Sequence, residues 1–290
     1  MKPAPFDYLA PATLDDAIGA LAAAGDDAKV LAGGQSLIPM MALRLARPSV
    51  LVDINRLRGL DGIREASGIL EIGALVRQRA LERWAAGRAP LFTEVLRAVA
   101  HPPIRNRGTV VGNIVHADPA SELPALLLCL EGVVVARGPR GERMIPADRF
   151  YRAPLTTALD AQELATAVRF TLPPAGAGWG FAEVSRRHGD FALVGAVAVL
   201  MRAPDGTVAR ARLAFFGAGG TPVRGAAAER ALEGGAPTSA LIGEAARAAA
   251  AGLSPDGDIH ATAAYRRQVA ATLAERTLTT ALARCGGGAS

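Results

Sequence analysis

In the stretch KVLAGGQSLIP, residues 29–39, two adjacent glycines interrupt a run of core-like apolar residues. Gly33 and Gly34 can adopt backbone angles closed to other residues and let a ligand approach the main chain. Successive N–H groups in such a turn form a concavity for an anion, and Gln35 and Ser36 add donors. The alternative is a plain tight turn between a strand and a helix, since glycine pairs are common in turns.

A second polar cluster lies in the otherwise apolar segment HPPIRNRGTVVGNIVHADPASELPALLLCL, residues 101–130. Its glycine and polar positions are Gly108, Thr109, Gly112, Asn113, Asp118 and Ser121. Polar groups in apolar surroundings need partners, and a bound polar ligand can supply them. The first turn is neither a P-loop nor the dinucleotide fingerprint of a Rossmann unit. We nevertheless expect these two turns, distant in sequence, to converge on one pyrophosphate.

Composition narrows the classes of protein that this chain can be. Its 290 residues are 50% hydrophobic and carry a net charge of +5 without a basic run, which argues against nucleic-acid binding. Cys129 reads as a buried apolar residue and Cys285 as part of a disordered tail, so we predict no disulfide, metal site or iron–sulfur cluster in this chain. The start lacks a signal-peptide core and no apolar run is long enough to span a membrane, so we expect a cytoplasmic protein.

The pattern of helix and strand signals predicts a mixed α+β chain. Thr13 is placed to cap a first helix that Gly25 ends, and a buried strand then leads into the glycine pair. Further strands are predicted at 49–54, 68–74, 141–151 and 163–173, with helices between them. The Pro- and Gly-rich segment 173–180 marks the predicted domain boundary. Beyond it, two strand-rich segments precede three helical ones, which indicates an α+β terminal domain.

Several motifs in one order give the chain a family resemblance. They are FDYLAPATLDDAI (6–18), LAGGQSLIPMMALRLARPSVLVDIN (31–55), IGALVRQRALE (72–82), HPPIRNRGTVVGNIVHADPASELP (101–124) and SRRHGDFALVGAVAVL (185–200). The chain resembles the FAD-binding medium subunit of the molybdenum hydroxylases, the group of aerobic carbon monoxide dehydrogenase and bacterial xanthine dehydrogenases. The resemblance covers nearly the whole chain.

The resemblance implies a fold of two domains. A vanillyl-alcohol-oxidase or PCMH-type FAD-binding domain is expected over residues 1–174, built from subdomains of about 1–57 and 58–174 with FAD between them. A smaller α+β domain, like the C-terminal domain of the carbon monoxide dehydrogenase flavoprotein, is expected over residues 178–285.

The resemblance also assigns cofactor-binding residues. The first loop that wraps the FAD diphosphate matches Ala32, Gly33, Gly34, Gln35 and Ser36, and the second matches Thr109, Val110, Val111, Gly112 and Asn113. Asp118 matches an acidic position that binds the polar part of the flavin nucleotide. Leu155 falls in a family region near the flavin.

Two departures from the family pattern bear on this assignment. Val111 replaces the first of two glycines usual in the second loop, so we expect binding to survive if residue 111 keeps a negative φ, with a looser local contact. Phe191 stands where the carbon monoxide enzymes often have a tyrosine beside the flavin ring, so it can cover the ring but not hydrogen-bond to it. The second departure weakens a specific assignment to carbon monoxide.

The implied function is electron transfer within a heterotrimeric enzyme. A large molybdopterin subunit oxidises the substrate, a small subunit with two [2Fe–2S] clusters relays electrons, and this chain collects them on FAD for an external acceptor. The family assembly is a dimer of heterotrimers. No residue of this chain is assigned as catalytic or as a metal ligand; the histidines, without metal-ligand spacing, are interpreted as surface or satisfied residues.

Three questions stay open on the sequence alone. The holoenzyme substrate is carbon monoxide, a purine or other N-heterocycle, or an aldehyde, and the acceptor is a quinone, NAD or oxygen. A self-sufficient FAD-dependent oxidase is one alternative, although such oxidases carry a larger substrate domain and often a covalent flavin link. A non-enzymatic nucleotide-binding or assembly subunit is the other, and it predicts a colourless protein.

Overall fold

A small parallel sheet with two helices forms the N-terminal part of the computed structural model, which describes residues 2–286. The strand order is β1-β3-β2, with β1 and β2 both parallel to β3. The elements are β1 (Asp7–Leu9), α1 (Leu14–Ala24), a short 3₁₀ turn (Gly25–Asp27), β2 (Ala28–Leu31), α2 (Leu37–Ala42) and β3 (Val50–Asp53). Both β2 and β3 therefore point their carboxyl ends to the same edge, where the glycine pair begins.

The first helix begins and ends as its sequence predicts. The Thr13 hydroxyl accepts a hydrogen bond from the Asp16 backbone N–H at 3.1 Å, which satisfies one of the free donors of the first turn. Its buried residues are Ala17, Ile18 and Leu21, spaced to lie on one helix face. Gly25 ends the helix with φ of 54°, a left-handed value that favours glycine.

A five-stranded antiparallel sheet follows, with the strand order β4-β5-β10-β6-β7. The strands are β4 (Ile63–Ala66), β5 (Ile69–Gly73), β6 (Val133–Gly138), β7 (Gly141–Pro146) and β10 (Leu164–Thr171). The central strand β10 places Val168 between Ile72 on β5 and Val134 on β6, and all three side chains are buried. These aliphatic positions form the centre of the larger hydrophobic core.

Six helices and a small hairpin connect or follow these strands. They are α3 (Gln78–Ala85), α4 (Pro90–Ala98), α5 (Pro102–Arg107), α6 (Val110–His116), α7 (Glu122–Cys129), α8 (Ala147–Phe150), β8 (Tyr151–Ala153) and β9 (Thr156–Thr157). Every residue of α7 is buried, so this helix forms the centre of the molecule.

The C-terminal part packs three helices on one face of a four-stranded antiparallel sheet. The elements are β11 (Gly178–Ser185), β12 (Ala192–Arg202), β13 (Val208–Phe216), β14 (Val223–Arg224), α9 (Ala226–Leu232), α10 (Ser239–Ala251) and α11 (Ala263–Arg284). A β-carbon on Gly180 would lie 2.2 Å from the Thr277 carbonyl oxygen, so glycine lets α11 approach the sheet closely. A second core of small and branched residues fills this interface.

The other face of the C-terminal sheet packs against α7. The Cys129 thiol lies 3.6 Å from the Val197 carbonyl oxygen, and the Gly217 N–H donates to the Pro119 carbonyl oxygen at 2.7 Å. Strand β10 ends at Thr171 and β11 begins at Gly178, so the segment 173–180, in which we place the domain boundary, covers most of the connection between them and the first residues of β11. The division into residues 1–174 and 178–285 stays a prediction.

Several local predictions are confirmed and two are wrong. Cys129 is buried, as expected. Cys285 is not part of a disordered tail, because its backbone caps α11 and its thiol contacts the Leu200 carbonyl oxygen at 3.3 Å; residues 287–290 lie outside the described part. The predicted strand at 141–151 is broken, because residues 147–150 form the short helix α8. Within residues 2–286, no helix combines the length and apolarity that crossing a membrane requires.

Candidate functional site

The first glycine loop leaves the carboxyl end of β2 and enters α2. Gly34 has φ of +71°, so the turn uses the left-handed backbone that glycine adopts without strain. Gln35 folds back, and its side-chain Nε2 donates to the Gly33 carbonyl oxygen at 3.1 Å. Ser36 stands at the start of α2, yet its hydroxyl makes no capping hydrogen bond to that helix. Its hydroxyl is therefore not used by the helix.

The backbone donors of this loop are free for a ligand. Within residues 2–286, the N–H groups of Gly33, Gly34, Gln35 and Ser36 donate to no protein acceptor. Consecutive free N–H groups in a turn form a concavity of positive partial charge that suits an anion. The loop is partly exposed rather than buried, so water can satisfy these donors until a ligand replaces it.

The second loop is the start of a helix. Thr109 precedes α6, and its hydroxyl accepts a hydrogen bond from the Gly112 backbone N–H at 3.1 Å. Val110 and Val111 lie in the first turn and are buried in the larger core, with Val111 only 2% exposed. Val111 keeps a negative φ. Its side chain therefore faces the core and does not obstruct the loop.

The structure brings the two loops into contact. A β-carbon placed on Gly33 would lie 2.6 Å from the Arg107 carbonyl oxygen, 2.8 Å from the Gly108 α-carbon and 3.0 Å from the Thr109 nitrogen. A β-carbon on Gly112 would lie 4.0 Å from that of Ala32. The convergence expected from the sequence is thus present. The backbone of the second loop occupies the space that a Gly33 side chain would need.

The remaining polar positions of the second segment lie at the far end of α6. Asn113 accepts a hydrogen bond from the Ser121 hydroxyl at 2.7 Å, so Ser121 is tied to α6 rather than capping α7. Asp118 accepts from the Ala120 backbone N–H at 2.9 Å. The Leu155 N–H donates to the Ala117 carbonyl oxygen at 3.0 Å, which places the half-exposed Leu155 beside Asp118.

Comparison with known proteins identifies the family. Residues 4–173, more than half of the chain, match the model described as FAD binding domain in molybdopterin dehydrogenase. Residues 179–281 match the CO dehydrogenase flavoprotein C-terminal domain. The chain belongs to the FAD-binding medium subunits of the molybdenum hydroxylases. The predicted family and fold class are therefore confirmed.

Individual relatives resemble the chain over its whole length. The 6-hydroxypseudooxynicotine dehydrogenase complex subunit alpha of Paenarthrobacter nicotinovorans is 42% identical, with 98% of this chain and 97% of the relative covered. The carbon monoxide dehydrogenase medium chain of Hydrogenophaga pseudoflava is 38% identical, with 98% and 100% covered. A structure of the Hydrogenophaga carbon monoxide dehydrogenase superimposes with a TM-score of 0.95 at 40% identity, covering 99% of this chain and 100% of that one.

The two loops in contact, residues 32–36 and 109–113, are the paired loops of this medium subunit. Their residues fit an FAD diphosphate. The N–H groups of Gly33 to Ser36 donate to no acceptor within residues 2–286, the backbone of residues 107–109 lies against Gly33, and neither loop carries an acidic side chain. A diphosphate needs such donors and the absence of negative charge. The assignment of individual residues to FAD stays a prediction.

Phe191 lies apart from the paired loops, on the connection between β11 and β12. Its side chain is 71% exposed, which is unusual for a residue of this size. The connection rests on the start of α5, because a β-carbon on Gly189 would lie 2.4 Å from the His101 imidazole. Helix α5 ends at the second loop. One short helix thus separates the Phe191 connection from the paired loops.

Buried carboxyl groups lie beyond the second loop. Burial, with the nearby charge of Glu183, raises the pKa of Glu122 to about 8, and burial raises the pKa of Glu183 to about 7. Glu122 begins α7, and Glu183 projects from β11 of the C-terminal sheet. The Glu183 Oε2 atom is buried and makes no hydrogen bond within residues 2–286. A protonated Glu122 at neutral pH limits the repulsion between the pair.

Two further residues of this medium subunit contact the loops, and sequence reasoning missed both. Asn55 donates to the Ala32 carbonyl oxygen at 2.8 Å, and Arg77 donates to the Arg107 carbonyl oxygen at 2.5 Å. Each lies in a quoted motif, VDIN or GALVRQ, just after a buried strand. A polar residue directly after a buried strand could have indicated a role at the site, because strand ends present side chains to a common edge.

Proposed function

We propose that this chain is the FAD-binding electron-transfer subunit of a heterotrimeric molybdenum hydroxylase, with the FAD diphosphate held between the paired loops. The observation that carries the proposal is the contact of Gly33 with residues 107–109, beside four N–H groups that donate to no acceptor within residues 2–286. This arrangement supplies what a diphosphate requires, namely close backbone approach and unshared donors.

Each part of the chain has a separate task in this proposal. FAD supplies the redox chemistry when bound, and the protein supplies position and electrostatics. Backbone N–H groups of residues 32–36 and 109–113 bind the diphosphate, Asp118 binds the polar part of the nucleotide, and Phe191 covers the flavin ring. No side chain of this subunit serves as a general acid or base.

The partners and location follow from the family. We assign the [2Fe–2S] clusters to a small partner subunit and the molybdopterin cofactor to a large one, in a dimer of heterotrimers in the cytoplasm. The relatives named above are called after 6-hydroxypseudooxynicotine and carbon monoxide, two unlike substrates. Both relatives nevertheless resemble this chain over nearly their whole length, which supports a substrate choice made in the large subunit.

A visible absorption spectrum of the purified chain, before and after heat denaturation, tests the proposal. We expect flavin bands at about one FAD per chain, released to the filtrate on denaturation and bleached by a chemical reductant. A chain that stays colourless with added FAD would overturn the proposal and favour the nucleotide-binding or assembly alternative. Flavin that stays with the precipitate would instead indicate a covalent oxidase.

A matched pair of glycine variants tests whether the FAD lies at the loops. Gly34 and Gly87 have φ of +71° and +76°, so a valine strains the backbone equally at both positions. Only Gly34 lies in the first loop, and Gly87 has open space around it. We expect Gly34→Val to abolish FAD binding and Gly87→Val to retain it, with circular dichroism confirming that both fold. Equal FAD binding by the two variants would contradict the loop assignment.

A further inference from the structure

Arg77 joins the two halves of the FAD-binding part through its side chain. It lies between β5 and α3, and its Nη1 donates to the Arg107 carbonyl oxygen at 2.5 Å. Its Nη2 donates to the Asn55 side-chain oxygen at 2.7 Å. The first acceptor immediately precedes Gly108 and Thr109, so one arm of the guanidinium holds the entry to the second loop.

Asn55 connects the Nη2 atom of Arg77 to the first loop. Its Nδ2 donates to the Ala32 carbonyl oxygen at 2.8 Å, one residue before Gly33. Asp53 fixes the Asn55 side chain by accepting from its Nδ2 at 2.6 Å and from its backbone N–H at 2.8 Å. The Tyr8 hydroxyl donates to the other Asp53 oxygen at 2.5 Å. The chain of bonds therefore runs from β1 through β3 to both loops.

We propose that Arg77 is a positioning residue which, together with Asn55, sets the separation and orientation of the two loops that receive the FAD diphosphate. The planar guanidinium presents two donors at fixed spacing, so it can hold two acceptors on different segments in one geometry. The inference rests on the proposed function, because it gives the paired loops their shape for that ligand. Arg77 acts through Ala32 and Arg107 and needs no contact with FAD.

Substitution of Arg77 could weaken FAD binding in two ways, through lost charge or through lost geometry. A positive charge beside a diphosphate attracts it without any fixed geometry, and lysine preserves that charge. A residue that holds two acceptors at a fixed separation needs the two donors of a planar guanidinium, and lysine has no such group. Asn55 is uncharged and makes the same link, so its loss should mimic the loss of the guanidinium geometry but leave the charge in place.

The test compares Arg77→Lys, Arg77→Met, Asn55→Ala and the double variant Arg77→Met/Asn55→Ala in the full chain. Arg64→Met is the control, because Arg64 is an exposed arginine on β4 with no side-chain hydrogen bond within residues 2–286. We expect all four variants to raise the Kd for FAD about tenfold or more, and the double variant to be no worse than Arg77→Met. The control should stay within twofold.

Amide hydrogen exchange of the FAD-free chain provides a readout that does not depend on the ligand. Both Arg77→Lys and Asn55→Ala should speed exchange at residues 107–113 and leave the apolar core unchanged. Wild-type affinity in Arg77→Lys would show that charge matters rather than the guanidinium geometry. Wild-type affinity in Asn55→Ala, with a loss in Arg77→Met, would show direct action on FAD. Either result overturns the positioning role of Arg77. A wild-type chain that binds no FAD overturns the proposed function itself.

Discussion

The two loops at the candidate FAD site are built in different ways. The first is irregular backbone with a left-handed Gly34 and four N–H groups that no described protein acceptor uses. The second is the capped start of α6, where Thr109 satisfies the Gly112 N–H and Val110 and Val111 are buried. The first loop therefore offers hydrogen-bond donors to a ligand. The second loop is held in place by its helix cap and by its two buried valines.

This difference changes the reason for the glycine at position 33. The sequence suggested that bare backbone at Gly33 serves a bound diphosphate, but the structure shows a requirement within the chain as well. The missing side chain makes room for the backbone of residues 107–109. A ligand requirement and a packing requirement thus coincide at Gly33, and the close approach of residues 107–109 is the packing requirement.

Among the changes that test the difference between the two loops, Gly33→Val should have the largest effect. Its side chain would force the Arg107 carbonyl oxygen and the Thr109 nitrogen away, and overpacking of this kind costs about 1–3 kcal/mol. We expect the Kd for FAD to rise about 100-fold or more, measured by flavin fluorescence titration. Gly19→Val is the control, because Gly19 lies on α1 with open space around it. FAD binding of wild-type strength by Gly33→Val would show that the loop contact is dispensable.

Val111→Gly restores the glycine pair usual in the family and tests whether this position faces the ligand or the core. The valine is 2% exposed, so we expect the free energy of unfolding to fall by about 2–4 kcal/mol from lost burial and added chain flexibility. Chemical denaturation of the FAD-free chain measures this loss. Val111→Ala should lose less. Tighter FAD binding with no loss of stability would mean that the side chain obstructs the site.

The first helix could be predicted because its start, its end and its buried face depend on local signals. Thr13 as a cap, Gly25 as a helix end and the apolar spacing of α1 all lie within one stretch of chain. The contact partners of the loops could not be predicted. Arg77 reaches Arg107 and Asn55 through its side chain, across 30 and 22 residues of sequence.

The proximity of the carboxyl groups of Glu122 and Glu183 is a second contact that could not be predicted from the sequence. Glu122 follows a run that reads as a helix start, and Glu183 lies in a segment that reads as an ordinary strand. Neither pattern indicates a buried charge, since glutamate is most often exposed. Their proximity arises only when the C-terminal sheet packs against α7, and no local pattern records that packing.

A buried carboxyl group beyond the second loop makes the stability of the chain depend on pH. Glu122 follows that loop, and burial raises its pKa to about 8. Because the folded chain holds this proton more tightly than the unfolded chain, the free energy of unfolding should fall as pH rises from about 4.5 to about 8. Glu122 alone should contribute a slope of at most about 1.4 kcal/mol per pH unit, and Glu183 should add a second contribution that ends near pH 7.

Glu122→Gln should remove that part of the pH dependence and leave a smaller slope, due to Glu183, that ends near pH 7. Denaturation curves at several pH values measure the slope. Glu142→Gln, a change at an exposed position on β7, should keep the wild-type slope. An unchanged slope in Glu122→Gln would mean that Glu122 ionises at its ordinary pKa in the folded chain.

The smallest expected effect compares the hydroxyl groups that precede the two helices. Thr109 caps α6 through the Gly112 N–H, whereas Ser36 makes no capping bond to α2. Thr109→Val keeps the shape and removes the acceptor, so the free energy of unfolding should fall by about 1 kcal/mol, and Thr109→Ser should restore most of it. Ser36→Ala should leave stability within about 0.5 kcal/mol. If Ser36→Ala instead weakens FAD binding at unchanged stability, the free hydroxyl of the first loop serves the ligand, whereas that of the second serves its own helix. A stability loss as large in Ser36→Ala as in Thr109→Val would contradict the difference drawn between the loops.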